Sequence, residues 1–336
     1  MSSPWARAVN QHAFHLQPPE SVCELSVVVP CHNESGNLET LHRRVAETCA
    51  ALTSDFEVVL VDDGSTDATW QGIARLSAAD AHVVGVKLSR NHGHQLALTA
   101  GLHVCRGRRI LIIDADLQDP PELLPEMMRL MDEGAEVVYG QRRKREGEGP
   151  LKKATAALFY RLIRWLSDVP IPSDTGDFRL MSRRALDVLL SMPERSRFIR
   201  GMVSWIGFRQ VPLLYDRAPR FAGRTNYNYP KMIRFALDAI TGFSIRPLIL
   251  ASLAGVCFAL LSLGVVVYAL VSWLFFSTVT GWTSLIAVVA ALGSVQLFVL
   301  GIFGEYLGRL AMQSQGRPLF IIEEVRGPAV PPANTP

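Results

Sequence analysis

The chain has 336 residues, enough for about two domains, and its near-balanced formal charge of +3 gives no basis for general nucleic-acid binding. Its five cysteines show no paired metal-ligand spacing and read as reduced, small apolar residues of a cytosolic protein. No Gly-x-Gly-x-x-Gly fingerprint follows the first apolar strand and no Walker lysine loop occurs, which disfavours dinucleotide binding and P-loop ATPase chemistry. Residues 1–22 are mixed in character, lack a signal-peptide pattern and read as a disordered lead-in.

Leu25–Pro30 is the first predicted strand, followed by the polar turn Cys31-His32-Asn33-Glu34. A helix then runs to about Leu52 with Leu38, Leu41, Val45 and Cys49 on one face. The second strand, Phe56–Val61, ends in Asp62-Asp63-Gly64-Ser65-Thr66-Asp67, a turn sequence that also caps a helix. Val83–Lys87 is the third strand; Arg90-Asn91-His92-Gly93 and a helix to about Val104 follow. Ile110–Ile113 reads as a strand buried on both faces, and Asp114 and Asp116 stand at its carboxyl end. Pro120 and Pro121 stop it and open a helix to Met131; Glu136–Gly140 is the fifth strand. Strands alternating with helices imply a doubly wound, mostly parallel α/β sheet.

Gln141–Lys153 is a basic loop without apolar periodicity. Ala154–Leu166 is an amphipathic basic helix suited either to a membrane interface or to packing on the sheet. Residues 229–246 read as an amphipathic connector. No Asp, Glu, Lys, Arg or His occurs from Pro247 through Gly304. A membrane-spanning helix needs about 20 apolar residues, so this stretch is expected to hold two transmembrane helices, near Leu248–Phe275 and Leu285–Tyr306, with a turn at Ser277–Ser284. Arg234, Arg246, Arg309 and Arg317 flank the pair, which places both termini in the cytoplasm. Gly293 and Gly301 permit close helix packing, including between copies, so a homo-oligomer is left open. Beyond Glu324 the Pro-rich tail reads as disordered.

Acids follow three strands: Glu34, the pair Asp62 and Asp63, and the pair Asp114 and Asp116. In open α/β sheets ligands bind at the carboxyl ends of strands. Two carboxylates so close need a cation or donor between them, and magnesium typically takes one or two carboxylates together with substrate phosphates. A nucleoside diphosphate with one divalent ion suits such an edge.

The segments Val27-Val-Val-Pro30-Cys-His-Asn33-Glu34, Asp62-Asp63-Gly-Ser-Thr-Asp67, Arg90-Asn91-His-Gly93, Asp114-Ala-Asp116-Leu-Gln118-Asp-Pro-Pro-Glu122 and Gly176-Asp177-Phe-Arg179-Leu together resemble glycosyltransferase family 2. The resemblance is strongest to the branch acting on polyprenyl phosphates, and Ser204–Gln210 and Arg220–Tyr227 add to it. It covers about residues 23–325. It implies a GT-A (Rossmann-like) catalytic domain over residues 23–228, then the 229–246 connector, a transmembrane hairpin over 247–308 and a cytoplasmic tail over 309–336. It further implies inverting transfer of a sugar from a nucleotide sugar, UDP-glucose foremost, to a polyprenyl phosphate such as undecaprenyl phosphate. The setting is the cytoplasmic face of the inner cell membrane. A processive polysaccharide synthase and a GDP-mannose-dependent synthase of the dolichyl type are the alternatives.

Carried over by position, Pro30, Asn33, Glu34, Asp62, Asp63, Arg90 and Asp114 bind the nucleotide. Asp114 and Asp116, with Gln118 as a further ligand, serve Mg2+ or Mn2+. Arg142, Arg220 and Arg224 meet the acceptor phosphate, since a guanidinium fork binds phosphate bidentately. Asp116, Asp177 and Arg179 are the catalytic candidates; Asp177 precedes Arg179 in a Gly-Asp-Phe-Arg turn and either orients the sugar or accepts a proton. Where the family often carries a lysine, this chain has Asn226. His92 and His94 suggest a metal site only weakly, because no third ligand is evident, and read as loop histidines.

Overall fold

The computed structural model describes residues 23–143, 175–216, 246–275 and 281–327. They fall into two compact units, one comprising 23–143, 175–216 and 317–327, the other 246–275 and 281–316.

The first unit is an eight-stranded sheet: β1 (Cys23–Cys31), β2 (Phe56–Asp62), β3 (Val83–Leu88), β4 (Gly107–Ile112), β5 (Val137–Arg142), β6 (Thr175–Ser182), β7 (Gln210–Tyr215) and β8 (Ile322–Arg326), in the order β7-β5-β6-β4-β1-β2-β3-β8. The pairs β4–β1, β1–β2, β2–β3 and β5–β7 are parallel, whereas β6 runs antiparallel to both neighbours and β8 antiparallel to β3. The mostly parallel, Rossmann-like GT-A sheet expected from the sequence is therefore present. The central strands carry buried apolar runs because helices cover both faces; Leu25, Val27, Val28 and Val29 of β1 are all fully buried.

Helix α1 (Leu38–Ala50) turns Leu38, Leu41, Val45 and Cys49 onto one face of the sheet, as their spacing predicts. Helices α2 (Thr69–Ala79) and α3 (His94–Val104) follow β2 and β3. A Cβ on Gly101 of α3 would stand 2.5 Å from Val28 Cγ1, so the missing side chain lets α3 lie close on β1. A 3₁₀ turn (Pro121–Leu123) leads into α4 (Leu124–Asp132), then α5 (Arg183–Ser191) and α6 (Ile199–Ile206) complete the unit. Register aligns the strand ends: Cys31 stands opposite Asp62, and Asp62 opposite Lys87.

Three local expectations are corrected. The Gly-Asp-Phe-Arg segment is no turn but lies inside β6, since Phe178 and Leu180 fill the core on one face of the sheet. Gln141 and Arg142 extend β5 rather than open a loop. Residues 322–326, within the stretch expected as tail, form β8, anchored by Ile322 and Val325. The helix expected over Ala154–Leu166 lies outside the described residues, as does all of the connector before Arg246.

The second unit holds two helices, α7 (Arg246–Phe275, 30 residues) and α8 (Trp282–Ser314, 33 residues). Within α8, Ala291–Ser314 is long and apolar enough to cross a bilayer, with a mean hydropathy of 1.4 and none of it buried. In α7 the apolar stretch found among the described residues, Arg246–Leu261, is shorter than that. Both helices expose large apolar side chains, among them Leu253, Leu260, Leu297 and Phe303.

Candidate active site

The loops after β1, β2 and β3 are tied together by side chains near the strand ends. Pro30 lies in β1 beyond the last β1–β4 pair, Val28–Ile112, where a missing N–H breaks no ladder bond with β4. Asn33 adopts a left-handed backbone (φ 57°), and its Oδ1 accepts from the Thr66 amide at 2.8 Å and the Thr66 hydroxyl at 3.2 Å. The Glu34 carboxylate accepts from Asn37 Nδ2 at 2.6 Å. Asp62, 1 % exposed, accepts from the Ser65 amide at 3.3 Å; burial raises its carboxyl, against the pull of that bond. Asp63 takes the amides of His92 at 2.7 Å and Gly93 at 3.0 Å on its two oxygens. Gly64 between these loops has φ +61°, and a Cβ there would stand 2.4 Å from the Asn91 nitrogen. Arg90 is exposed and reaches the Asn91 carbonyl at 3.4 Å.

After β4, Leu117 is left-handed as well (φ 60°), unusual for a bulky residue. That turn lets the Gln118 amide donate to Asp116 Oδ1 at 3.1 Å. Asp114 Oδ1 is buried and has no hydrogen-bond partner among the described residues. Burial pushes the Asp114 carboxyl up to about 6; nearby His94 opposes this, while the charges of Asp177, Asp119 and Asp116 add to it. Asp119, 1 % exposed, accepts from the Tyr215 hydroxyl at 2.5 Å.

From β6, Asp177 enters the same edge. Its carboxylate, 2 % exposed, accepts from Arg200 Nε at 2.9 Å and Nη2 at 3.3 Å, from Gln95 Nε2 at 3.0 Å and from His94 Nε2 at 3.1 Å. Burial alone would raise this carboxyl, but Arg200 and His94 hold it well below the usual carboxylate range. His94 Nε2 also stands 3.6 Å from Asp114 Oδ1. Partial desolvation would lower that imidazole, whose side chain stays 45% exposed; the bond to Asp177 and the charges of Asp114 and Asp177 outweigh it and raise it to about 9. Arg179, buried beside Asp177, donates to the Gly176 and Asp177 carbonyls, and burial lowers it to about 10. A small polar pocket lined by Tyr139, Thr175, Arg179, Arg200, Ser204 and Gln210 adjoins this cluster.

Arg142, at the end of β5, joins the site from the side. A Cβ on Gly176 would meet Arg142 Nη2 at 3.3 Å, and the Tyr215 hydroxyl is bonded to both Asp119 and Arg142. Arg220, Arg224 and Asn226 lie outside the described residues.

The structure thus brings Asp114, Asp177 and Arg179 together, sets Asp116 and Arg142 nearby, and holds Asn33, Glu34, Asp62, Asp63 and Arg90 in the neighbouring loops. Sequence reading missed Gln95 and Arg200 and took His94 for an ordinary loop residue. The position of His94-Gln95, directly after the Arg-Asn-His-Gly motif at a strand end, was the available signal. Arg200 had none, because only the fold of β6 against α6 carries it to Asp177. Among the described residues no cluster of three or more His, Cys, Asp or Glu is preformed for a metal.

The carboxyl edge of this GT-A sheet sets acids against the guanidinium groups of Arg179 and Arg200, an arrangement suited to holding and transferring a charged group. Residues 26–190 match the Glycosyl transferase family 2 model. An uncharacterised glycosyltransferase of Synechocystis sp. is 42% identical over 310 residues, covering 90% of this chain and 96% of that protein. The uncharacterised glycosyltransferase YkcC of Bacillus subtilis is 43% identical over 307 residues, covering 90% and 94%. The bactoprenol glucosyl transferase of Shigella phage SfV is 37% identical over 301 residues, covering 89% and 98%. The chain belongs to glycosyl transferase family 2 and is a glycosyltransferase.

Proposed function

We propose that this enzyme transfers a single glucose from UDP-glucose to undecaprenyl phosphate at the cytoplasmic face of the cell membrane, with inversion at the sugar. The observation that carries the reading is the edge on which Asp114 and Asp116 stand beside the Asp177–Arg179–Arg200 cluster. Similarity to a bactoprenol glucosyl transferase supports a polyprenyl phosphate as acceptor. The apolar segment Ala291–Ser314, the uncharged run Pro247–Gly304 and the arginines flanking it support a two-span anchor with both termini cytoplasmic.

Asp114 and Asp116 fit a divalent cation. Both offer hard oxygen donors, and Asp114 Oδ1 is a buried acceptor without a hydrogen-bond partner among the described residues. Mg2+ or Mn2+ would be held by these two and Gln118, and would neutralise charge developing on the nucleoside diphosphate leaving group. Asn33, Glu34, Asp62, Asp63 and Arg90 shape the loops that receive the nucleoside beside Pro30.

A phosphate monoester carries roughly −1.5 to −2 charge near neutral pH, so the acceptor oxygen is already nucleophilic and needs no strong base. Asp177 is unsuited to be one: donors occupy both its oxygens, and its carboxyl is held well below the usual range. Its role is to fix Arg200 and His94. Arg142 and Arg179, with Arg220 and Arg224, relieve repulsion between the two anions and orient the acceptor.

The test is membranes bearing the protein, supplied with labelled UDP-glucose and undecaprenyl phosphate. A lipid carrying one sugar, lost on chelation and in Asp116→Ala, is the expected product. A ladder of longer products would indicate a processive synthase, and label entering from GDP-mannose alone would replace the donor.

A further inference from the structure

Four consecutive residues, His92 to Gln95, touch the ends of three different strands. The His92 and Gly93 amides hold Asp63 after β2, and Gln95 Nε2 holds Asp177 in β6. His94 does something none of the others does: one ring nitrogen faces two carboxylates, Asp177 Oδ2 at 3.1 Å and Asp114 Oδ1 at 3.6 Å.

The two carboxylates differ in how firmly they are held. Asp177 is fixed, because Arg200 from α6 and Gln95 from α3 bond it at the same time. Asp114 is not held in that way, because its Oδ1 accepts no hydrogen bond from the described residues. A nitrogen fastened to the fixed acid and close to the loose one limits where the loose one turns. Gln95 strengthens the arrangement by accepting from the Ile199 amide at 3.1 Å, which ties the start of α3 to the start of α6.

We propose that His94 is a positioning residue of the donor end: it braces Asp114 against the immobile Asp177 and so sets which Asp114 oxygen is offered to the cation and the nucleoside diphosphate. The inference rests on the reading of Asp114 and Asp116 as cation ligands. Partners in the layer behind a metal ligand typically govern affinity by 10–100-fold, and His94 stands in that layer.

Full-length protein in detergent is titrated with Mn2+ in the presence of UDP, and free Mn2+ is read by electron paramagnetic resonance. His94→Phe keeps the ring volume but loses the nitrogens; it is expected to bind Mn2+ about tenfold more weakly. His94→Gln retains an N–H that reaches Asp177 and is expected to recover most of the affinity. Thermal melts of both variants establish that the fold is intact, and because the His94 side chain is 45% exposed, neither leaves a large core void. Should Phe unfold the protein, His94→Leu, which also lacks a donor, takes its place: a tenfold loss in it that Gln recovers supports the brace, and wild-type affinity in it overturns the brace. Wild-type affinity in His94→Phe also overturns it. Asp116→Ala is measured in parallel. If it binds Mn2+ with UDP as tightly as the wild type, the donor-site reading itself fails; if it loses binding while His94→Phe does not, only the brace fails.

Discussion

Arg200 meets the Asp177 carboxylate through two nitrogens, Nε to Oδ1 at 2.9 Å and Nη2 to Oδ2 at 3.3 Å, and so joins α6 to the start of β6. Asp177 is 2 % exposed, so loss of its cation strands a buried charge. Breaking a buried pair from one side costs about 3–5 kcal/mol. Arg200→Ala is expected near the low end, because His94 and Gln95 still donate to the acid. Arg200→Lys keeps the charge but not the planar fork and is expected to fall between the two. Urea denaturation followed by tryptophan fluorescence measures both; a loss below about 1 kcal/mol for Ala would show the pair to be peripheral.

The sequence carries the donor half of the site more plainly than the acceptor half, for a physical reason. Asp62, Asp63, Asp114 and Asp116 each follow an apolar run that forms a parallel strand, so local pattern alone puts them at a carboxyl edge. Asp177 reaches that edge from a strand running the other way. Its placement depends on pairing between β4 and β6, with Ile112 opposite Arg179, which no local signal encodes. The motif reads as a turn because Gly176 and Asp177 are turn formers, yet Gly176 is small so that Arg142 can pass over it. β8 was hidden for a similar reason: five residues beside a Pro-rich tail become a strand only because β3 offers an open edge.

Gly64 marks the place where the second strand's turn touches the end of the third. With φ +61° and its ideal Cβ only 2.4 Å from the Asn91 nitrogen, it admits no side chain without moving backbone. A left-handed non-glycine residue costs roughly 1–2 kcal/mol before any clash. Gly64→Ala is expected to lose about 2–4 kcal/mol in all. It should also weaken UDP binding, because the displaced Arg90–Gly93 loop includes the amides that hold Asp63. Calorimetric titration with UDP, alongside a melt, separates the two effects; an unchanged melting temperature would refute the packing argument.

His103, on α3 beside Phe320 (ring centroids 5.7 Å apart), gives the first unit an acid sensitivity of its own. Burial, with help from the Arg197 charge, lowers its imidazole to about 4. An unfolded histidine titrates near 6.5, so between about pH 6.5 and 4 the unfolded chain binds a proton that the folded one refuses. The stabilisation is complete above about pH 6.5 and is lost as pH falls towards 4. One pH unit is worth at most 1.36 kcal/mol per group; with solvent screening, about 1–2 kcal/mol is expected over the window. His103→Leu should flatten the stability profile between pH 6.5 and 4.5, and equal slopes in the two proteins would exclude His103 as the sensor.

The antiparallel pair β3–β8 closes an edge that would otherwise expose an unpaired row of N–H and C=O groups. Two kinds of contact hold it. Phe320, Ile322 and Val325 are 3 %, 1 % and 7 % exposed, whereas the Lys87–Glu323 ion pair, 3.0 Å long, has side chains 28% and 50% exposed. The apolar contacts should dominate. Truncating a buried isoleucine to alanine costs about 2–5 kcal/mol, while an exposed ion pair contributes about 0–1 kcal/mol. Ile322→Ala is therefore expected to lower stability by about 2–3 kcal/mol and Lys87→Ala by less than about 1 kcal/mol. Hydrogen exchange supplies an independent readout: the Ser89 amide just after β3, which donates to the Ile321 carbonyl at 3.0 Å, should lose protection in Ile322→Ala and keep it in Lys87→Ala. If Lys87→Ala destabilised the edge as much as Ile322→Ala, charge pairing rather than burial would be what seats β8.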